Sequence, residues 1–282
     1  MAKIVSGFVK SISGQKVPAY EVEAYSKKGE KRAIEIHGSR LRKAGRTAGV
    51  VVIIRDVTER KRAQEELQES LDKVRRTLES TVYALASIAE IRDPYTAGHQ
   101  RGVALLATAI ANEMGFQGEQ LEGIRVAGML HDIGKIHVPV EILSKPGRLS
   151  EIEFSLIKAH VQLGHDILKA IEFRWPIAQM VLQHHERMDG SGYPFGLSAE
   201  EILPEARILA VADVVDAMTH HRPYRPARGI DKALEEISKN SGVLYDVDVV
   251  DACLRLLDGQ GQQFYKAGDL AFHRPMGERT NT

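Results

Sequence analysis

The stretch LEGIRVAGMLHDIGK, residues 121–135, decides how this chain reads. Leu121, Ile124, Ala127 and Leu130 recur at three- and four-residue spacing, which puts them on one face of a helix. His131 and Asp132 follow at once, and Gly134 is expected to close the helix. Such a helix buries one stripe and delivers an imidazole and a carboxylate together at its end.

The same helical pattern extends over residues 91–257. Ser150-Glu151-Ile152-Glu153 has the form of a capping box and starts a helix expected to turn Phe154, Ile157, Val161 and Leu168 inward. Ile177 and Val181 begin another helix, and Ser198 to Glu201 is a second capping box. Ile208, Val211, Val215 and Met218 define a further helix, and the last centres on Val249, Val250, Leu254 and Leu257. Residues 258–282 are polar and rich in Gly and Gln, as expected of a tail.

Upstream the period changes. Val22 and Ala24 alternate with Glu21 and Glu23, Lys27 to Glu30 is a turn, and Ile34 and Ile36 alternate with Glu35 and His37. Residues 50–54 are a run of Val and Ile, expected to be a more fully buried strand. Residues 1–58 therefore predict an antiparallel meander. Over residues 59–90, Leu67, Leu71, Val74, Leu78, Thr81 and Leu85 alternate in steps of four and three, with charged residues between them. That is a heptad seam, and a parallel homodimer through residues 60–85 is expected. The alternative is one amphipathic helix lying on its own domain.

The chain has 11 histidines, and those at 99, 131, 160, 184 and 185 fall on or beside different helices, as do Asp132 and Asp213. Five imidazoles and two carboxylates could converge in one bundle core. Without thiolate, such a set suits Fe, Mn or Zn. Seven ligands exceed the needs of one tetrahedral ion and suit two ions ~3.5–4 Å apart, with Asp132 as the natural bridge. His137, His165, His220 and His221 are expected to face solvent or to sit outside the ligand set.

Five separated motifs then carry a resemblance: DPYTAGH at 93–99, HDIGK at 131–135, KAHVQLGHDIL at 158–168, HHERMDGSGYP at 184–194 and ADVVDAMTHHRPYR at 212–225. In order and spacing they resemble the HD-GYP group of the HD phosphohydrolase superfamily, over roughly residues 90–257. The resemblance implies a mainly α, HD-type helical bundle that hydrolyses cyclic di-GMP to pGpG, with a second cut giving GMP. It implies His99, His131, Asp132, His160, His184, His185 and Asp213 as metal ligands. Asp132 and Lys135 would be catalytic, Lys135 also touching the scissile phosphate. Arg222 and Arg225 would hold substrate phosphates, and Tyr193 would sit in a Gly-Tyr-Pro loop that touches substrate or a protein partner. Two divalent ions, Fe or Mn, are the implied cofactors. Some members carry a glutamate, four residues before the first histidine, that helps hold a third metal; Tyr95 stands there, so the third site is expected to be absent. Residues 29–61, GEKRAIEIHGS…GVVVIIRDVTERK, resemble the C-terminal half of a PAS sensor domain, so the chain is expected to begin inside one.

Composition narrows the field further. With 38 basic and 38 acidic residues, the chain gives no reason to expect a nucleic-acid polymer as partner. No apolar run approaches the ~20 residues of a membrane span, although attachment through a longer parent protein stays open. One cysteine, Cys253, cannot form an internal disulfide, and no signal peptide is apparent, so the bacterial cytoplasm is the expected compartment. No Gly-rich phosphate loop or Ser/His/Asp triad is apparent. Three rival readings are a non-catalytic cyclic di-GMP receptor, an HD phosphohydrolase acting on another nucleotide, and a module that works through partners at the Gly-Tyr-Pro loop.

Overall fold

A computed structural model describes residues 18–44, 46–92, 98–219 and 229–258. The chain divides into two compact units between Leu78 and Glu79.

The first unit carries three strands, β1 (Tyr20–Tyr25), β2 (Lys31–Lys43) and β3 (Arg46–Asp56), paired antiparallel in the order β1-β2-β3. Glycine is required in the β1–β2 turn, where Gly29 has φ 78° and donates its N–H to the Ser26 carbonyl. The register sets Val22 opposite Ile34 and Ile36 opposite Ile54, so the expected meander is present. The expected burial of residues 50–54 is not: Ile53 is 56% and Ile54 66% exposed. The cause is coverage. β3 is a sheet edge, and among the described residues it packs substantially only on β2, so no element lies over the faces of Ile53 and Ile54.

β3 passes straight into helix α1 (Thr58–Arg92). Asp56 Oδ1 accepts from the Thr58 N–H at 2.9 Å and from its hydroxyl at 2.5 Å, and Thr58 Oγ1 accepts from Ala33 N. Along the first part of α1, Leu67, Leu71, Val74 and Leu78 form an exposed apolar stripe. Past Glu79 the buried stripe is Val82, Ala86 and Ala89, a different register from the Leu78–Leu85 continuation of the heptads.

The second unit is helical: α2 (His99–Glu113), α3 (Glu119–Leu130), a 3₁₀ turn (Ile133–His137), α4 (Val140–Leu143), α5 (Glu151–Lys158), α6 (His160–Leu168), α7 (Ile177–Gln183), a 3₁₀ turn (Ala199–Glu201), α8 (Pro204–Thr219), α9 (Ile230–Lys239) and α10 (Val247–Leu257). At the centre, α8 packs against α2, α3, α7, α9 and α10. Its buried set (Ala206, Ile208, Leu209, Val211, Ala212, Val215) reaches around most of the helix, as a surrounded helix requires. Each large side chain so buried contributes about 1.5–3 kcal/mol. With the small sheet, this is the mainly helical architecture that the motifs imply.

Two local expectations are corrected. Gly134 does not cap α3, which ends at Leu130; it lies in the 3₁₀ turn, where a Cβ would meet the His160 carbonyl oxygen at 2.0 Å. The helix opened by Ser150 does not run unbroken to Leu168 but stops at Lys158 and restarts at His160. No residue of α5 is buried, and Phe154 is 45% exposed beneath the Lys158 ammonium, while Val161 and Leu168 of α6 are buried. Cys253 is buried, and burial pushes its thiol up to about 12, as for a packing residue. No helix among the described residues is long and apolar enough to cross a membrane.

Candidate metal centre

Three histidines stand where helices stop or restart. His131 follows α3, His160 follows the α5 break and His184 follows α7. Each turns its Nδ1 back to the carbonyl three residues earlier: His131 to Gly128 at 2.7 Å, His160 to Ile157 at 2.7 Å, His184 to Val181 at 2.6 Å. A carbonyl accepts only, so Nδ1 carries the proton and Nε2 keeps a free lone pair. Those three Nε2 atoms are buried with no hydrogen-bond partner among the described residues. Buried polar atoms are seldom left so, and converging lone pairs fit the ligands of a cation. His99 is held differently, with Nδ1 2.6 Å from Asp216 Oδ2 and Nε2 3.2 Å from Asp213 Oδ1.

The seven residues singled out as ligands fall into three overlapping groups: His160, His184 and His185; His99, His131 and Asp213; His131, Asp132 and His184. Within each, donor atoms lie within 4.8 Å of one another. His131 and His184 belong to two groups each, so the donors spread over adjoining positions rather than one point. Asp132 divides its oxygens, Oδ2 at 3.4 Å from His131 Nε2 and Oδ1 at 3.4 Å from His160 Nε2.

The electrostatics favour deprotonated ligands. Burial opposes ionisation of Asp132, but Lys135, His131 and His160 outweigh it and hold its carboxyl well below the usual range. Burial likewise opposes ionisation of Asp213, and His99 outweighs it. Burial lowers His160 to about 4 and His184 to about 3, and brings His185 well down. His99 is the exception. Burial pulls it down, yet Asp213 and Asp216 raise it to about 9. Imidazole and carboxylate without thiolate suit Fe, Mn or Zn.

Over these ligands opens a cavity of about 510 Å³ lined by Asp132, Lys135, His160, His185, Tyr193 and Asp213, among others. Lys135 Nζ donates to Asp132 Oδ2 at 2.7 Å. The Tyr193 ring stacks on His185 at 4.7 Å. The Gly-Tyr-Pro loop is held from beneath by Glu186, whose carboxylate accepts from Phe195 N at 2.8 Å and Leu197 N at 3.0 Å. Gly192 has no room for a side chain, since a Cβ would lie 2.4 Å from Glu186 Cα. A neighbouring cavity of about 490 Å³ shares Lys135 and Phe154 and runs to Lys145 and Arg148.

The structure thus brings together His99, His131, Asp132, His160, His184, His185 and Asp213, with Lys135 and Tyr193 beside them. Arg222 and Arg225 lie outside the described residues, as do Tyr95, His220 and His221. His137 is exposed and His165 pairs with Asp166, both away from the centre. Sequence reasoning missed Asp216 and Glu186. Asp216 was legible in its three-residue spacing from Asp213, which puts both on one face of α8.

Comparison with known proteins agrees with this geometry. A family profile described as HD domain matches residues 83–249, more than half of the chain. The chain is 40% identical over 194 residues to the cyclic di-GMP phosphodiesterase response regulator RpfG of Xanthomonas campestris pv. campestris, covering 68% of this chain and 51% of that protein. It is 44% identical over 176 residues to a cyclic di-GMP phosphodiesterase of Thermotoga maritima, covering 61% and 47%. The chain spans about half the length of the curated relatives it matches. The solved structure of a cyclic GMP-AMP specific phosphodiesterase of V. cholerae superposes with a TM-score of 0.52 at 17% identity, covering 69% of this chain and 53% of that one, a likeness of fold.

Proposed function

The chain belongs to the HD domain family, and from that premise we propose that it is a metal-dependent phosphodiesterase hydrolysing cyclic di-GMP to pGpG. The observation that carries the reading is the set of buried, unpartnered Nε2 atoms of His131, His160 and His184 around Asp132, beneath a cavity edged by Lys135. Relatives named as cyclic di-GMP phosphodiesterases support the substrate.

The ligands in this reading are His99, His131, Asp132, His160, His184, His185 and Asp213, which would hold two divalent ions, Fe or Mn. When bound, such ions supply a water-derived nucleophile at neutral pH and draw charge from the phosphoryl oxygens. Lys135 holds Asp132 ionised and carries its positive charge to the cavity edge, where it steadies negative charge growing on the phosphate. Arg222 and Arg225 hold the substrate phosphates, a task that suits the guanidinium fork. Hydrolysis would join the oxygen of water to phosphorus as the bond to the ribose 3′ oxygen breaks, water's proton passing to that oxygen to leave a 3′ hydroxyl and a 5′ phosphate. Tyr193, stacked on His185, forms the loop's wall of the site.

Two further parts belong to the reading. Residues 1–58 are a PAS-like sensor segment, a reading supported by the meander of β1 to β3 and its Asp56-Val57-Thr58 exit into α1. A parallel homodimer forms through residues 60–85, supported by the exposed stripe from Leu67 to Leu78. Phe195, 61% exposed beside Tyr193 and Pro194, offers the Gly-Tyr-Pro loop a contact for a protein partner. The substrate assigns the work to the bacterial cytoplasm.

The test is incubation of purified protein with Mn²⁺ or Fe²⁺ and cyclic di-GMP, with pGpG and GMP followed by chromatography. Turnover that needs the metal is expected. Binding without turnover in either metal would leave a receptor.

A further inference from the structure

One wall of the cavity over the metal ligands has no part in the chemistry above. It is formed by Glu236 of α9, by Arg187 just past the His184–His185 pair, and by Val214, Ala217 and Met218 of α8. Glu236 and Arg187 are each half-buried, and no ion pair joins them or pairs either elsewhere among the described residues. Asn240, one turn along α9, donates to Glu236 Oε1 at 2.9 Å and so fixes the carboxylate. Oε2 makes no hydrogen bond among the described residues. Arg187 spends one nitrogen on the Glu186 carbonyl at 3.0 Å, and its guanidinium lies 5.4 Å from the centre of the Tyr245 ring. Both charges act on the Tyr245 hydroxyl: burial raises its pKa, Arg187 lowers it and Glu236 raises it.

An oriented carboxylate, a guanidinium and an apolar strip beside a phosphodiester centre match the groups of one nucleobase. Guanine presents two adjacent donors, N1–H and the N2 amino group, to a carboxylate. Its O6 and N7 are the acceptor pair that arginine contacts in bidentate fashion. Adenine puts an acceptor where guanine has N1–H, so it would set a lone pair against the carboxylate. We propose that Glu236 and Arg187 form a guanine-recognising subsite, with Glu236 accepting from N1–H and N2–H, Arg187 donating to O6 or N7, and the α8 strip lying against the ring. The inference rests on the reading of the cavity as a cyclic dinucleotide site. It adds a determinant of base choice: the site accepts a nucleotide by its guanine.

The test uses the full chain and two ligands, GMP and AMP, titrated by calorimetry into the wild type and Glu236→Gln. The wild type is expected to bind GMP at least about tenfold more tightly than AMP. Glu236→Gln keeps the shape but not the charge, and should weaken GMP roughly 10- to 100-fold, the size of a lost charged hydrogen bond, with AMP little changed. In turnover, the loss on cyclic di-GMP should appear in KM more than in kcat. A wild type with no preference for GMP overturns the subsite whether or not the variant folds, and so does an equal loss for both nucleotides. A wild type that prefers GMP and loses that preference in Glu236→Gln, yet hydrolyses no cyclic dinucleotide with Mn²⁺, sustains the subsite and retires the phosphodiesterase reading.

Discussion

Asp216 Oδ2 lies 2.6 Å from Nδ1 of His99, and Asp213, one turn earlier on α8, lies 3.2 Å from the other nitrogen of the same ring. One helix therefore sets a carboxylate beside each nitrogen of this imidazole, with Asp216 bonded to Nδ1 and aiming the ring. Room for Asp216 is made by Gly102 of α2, where a Cβ would fall 2.0 Å from Asp216 Oδ1.

Removing the aiming carboxylate should loosen the centre without removing a ligand. Asp216→Asn is expected to lower metal affinity about 10- to 100-fold, the usual effect of losing a group that orients a ligand. Gly102→Ala should act in the same direction by displacing Asp216. Metal content after graded dialysis against a chelator checks both, and unchanged retention would remove Asp216 from the design of the site.

Asp132→Ala should abolish hydrolysis more completely than Arg225→Ala. The first removes the carboxylate placed between His131 and His160. The second removes one proposed phosphate contact, a loss of about 10²–10³ in rate by comparison with a single oxyanion donor. Turnover with parallel metal analysis decides it; an Asp132→Ala protein that keeps its metals and its rate would refute the assigned centre.

The α5 cap predicts an acid dependence. Lys145 above all, then the Ser150 N–H, pull the Glu153 carboxyl down from 4.5 to about 2. A folded pKa below the unfolded one stabilises above the unfolded value and is lost as pH falls through the folded one. The contribution is thus full above about 4.5 and gone below about 2. Amide protection factors across Glu151–Lys158, taken against the intrinsic rate at each pH, should fall over that window in the wild type, and Glu153→Gln should remove that dependence while giving lower protection at neutral pH.

Charge placed on the α1 stripe should abolish the dimer. Leu71→Glu with Leu78→Glu puts unpaired charge into the proposed seam, where burial without a partner is unfavourable by several kcal/mol. Light scattering should report a monomer. A surviving dimer would place the interface elsewhere.

Tyr95 sets the expected metal number. A neutral phenol is a poor ligand for a hard divalent ion, and ionising it near pH 7 works against a reference pKa of ~10. Two ions per chain and pGpG as the early product are expected, with Tyr95→Glu raising both metal stoichiometry and GMP yield. Plasma emission and product time courses measure these; three ions in the wild type would contradict the expectation.

What the sequence discloses and conceals divides along physical lines. The faces of α3 and α10 were legible because a buried stripe repeats with the helix, and the convergence of the seven candidate ligands was legible from motifs. The exposure of Ile53 and Ile54 was not, because an apolar run reads the same whether or not another element packs over its face. The break before His160 was hidden because both helices keep an apolar pattern and no Pro or Gly marks the stop. Glu186 sits inside a recognised motif, but only the folded loop shows its carboxylate taking the Phe195 and Leu197 amides.

The carbonyls of Gly128, Ile157 and Val181 carry one more consequence. They set three imidazoles by bonds internal to the chain, so the rings already point inward before any cation arrives. Chelation should therefore empty the protein without unfolding it, unlike the collapse of a zinc finger stripped of its ion. A receptacle that stands on its own imposes little penalty on exchanging one first-row ion for another. If the ions are iron or manganese, as proposed, the choice between them would then pass from the chain to whichever ion its surroundings supply.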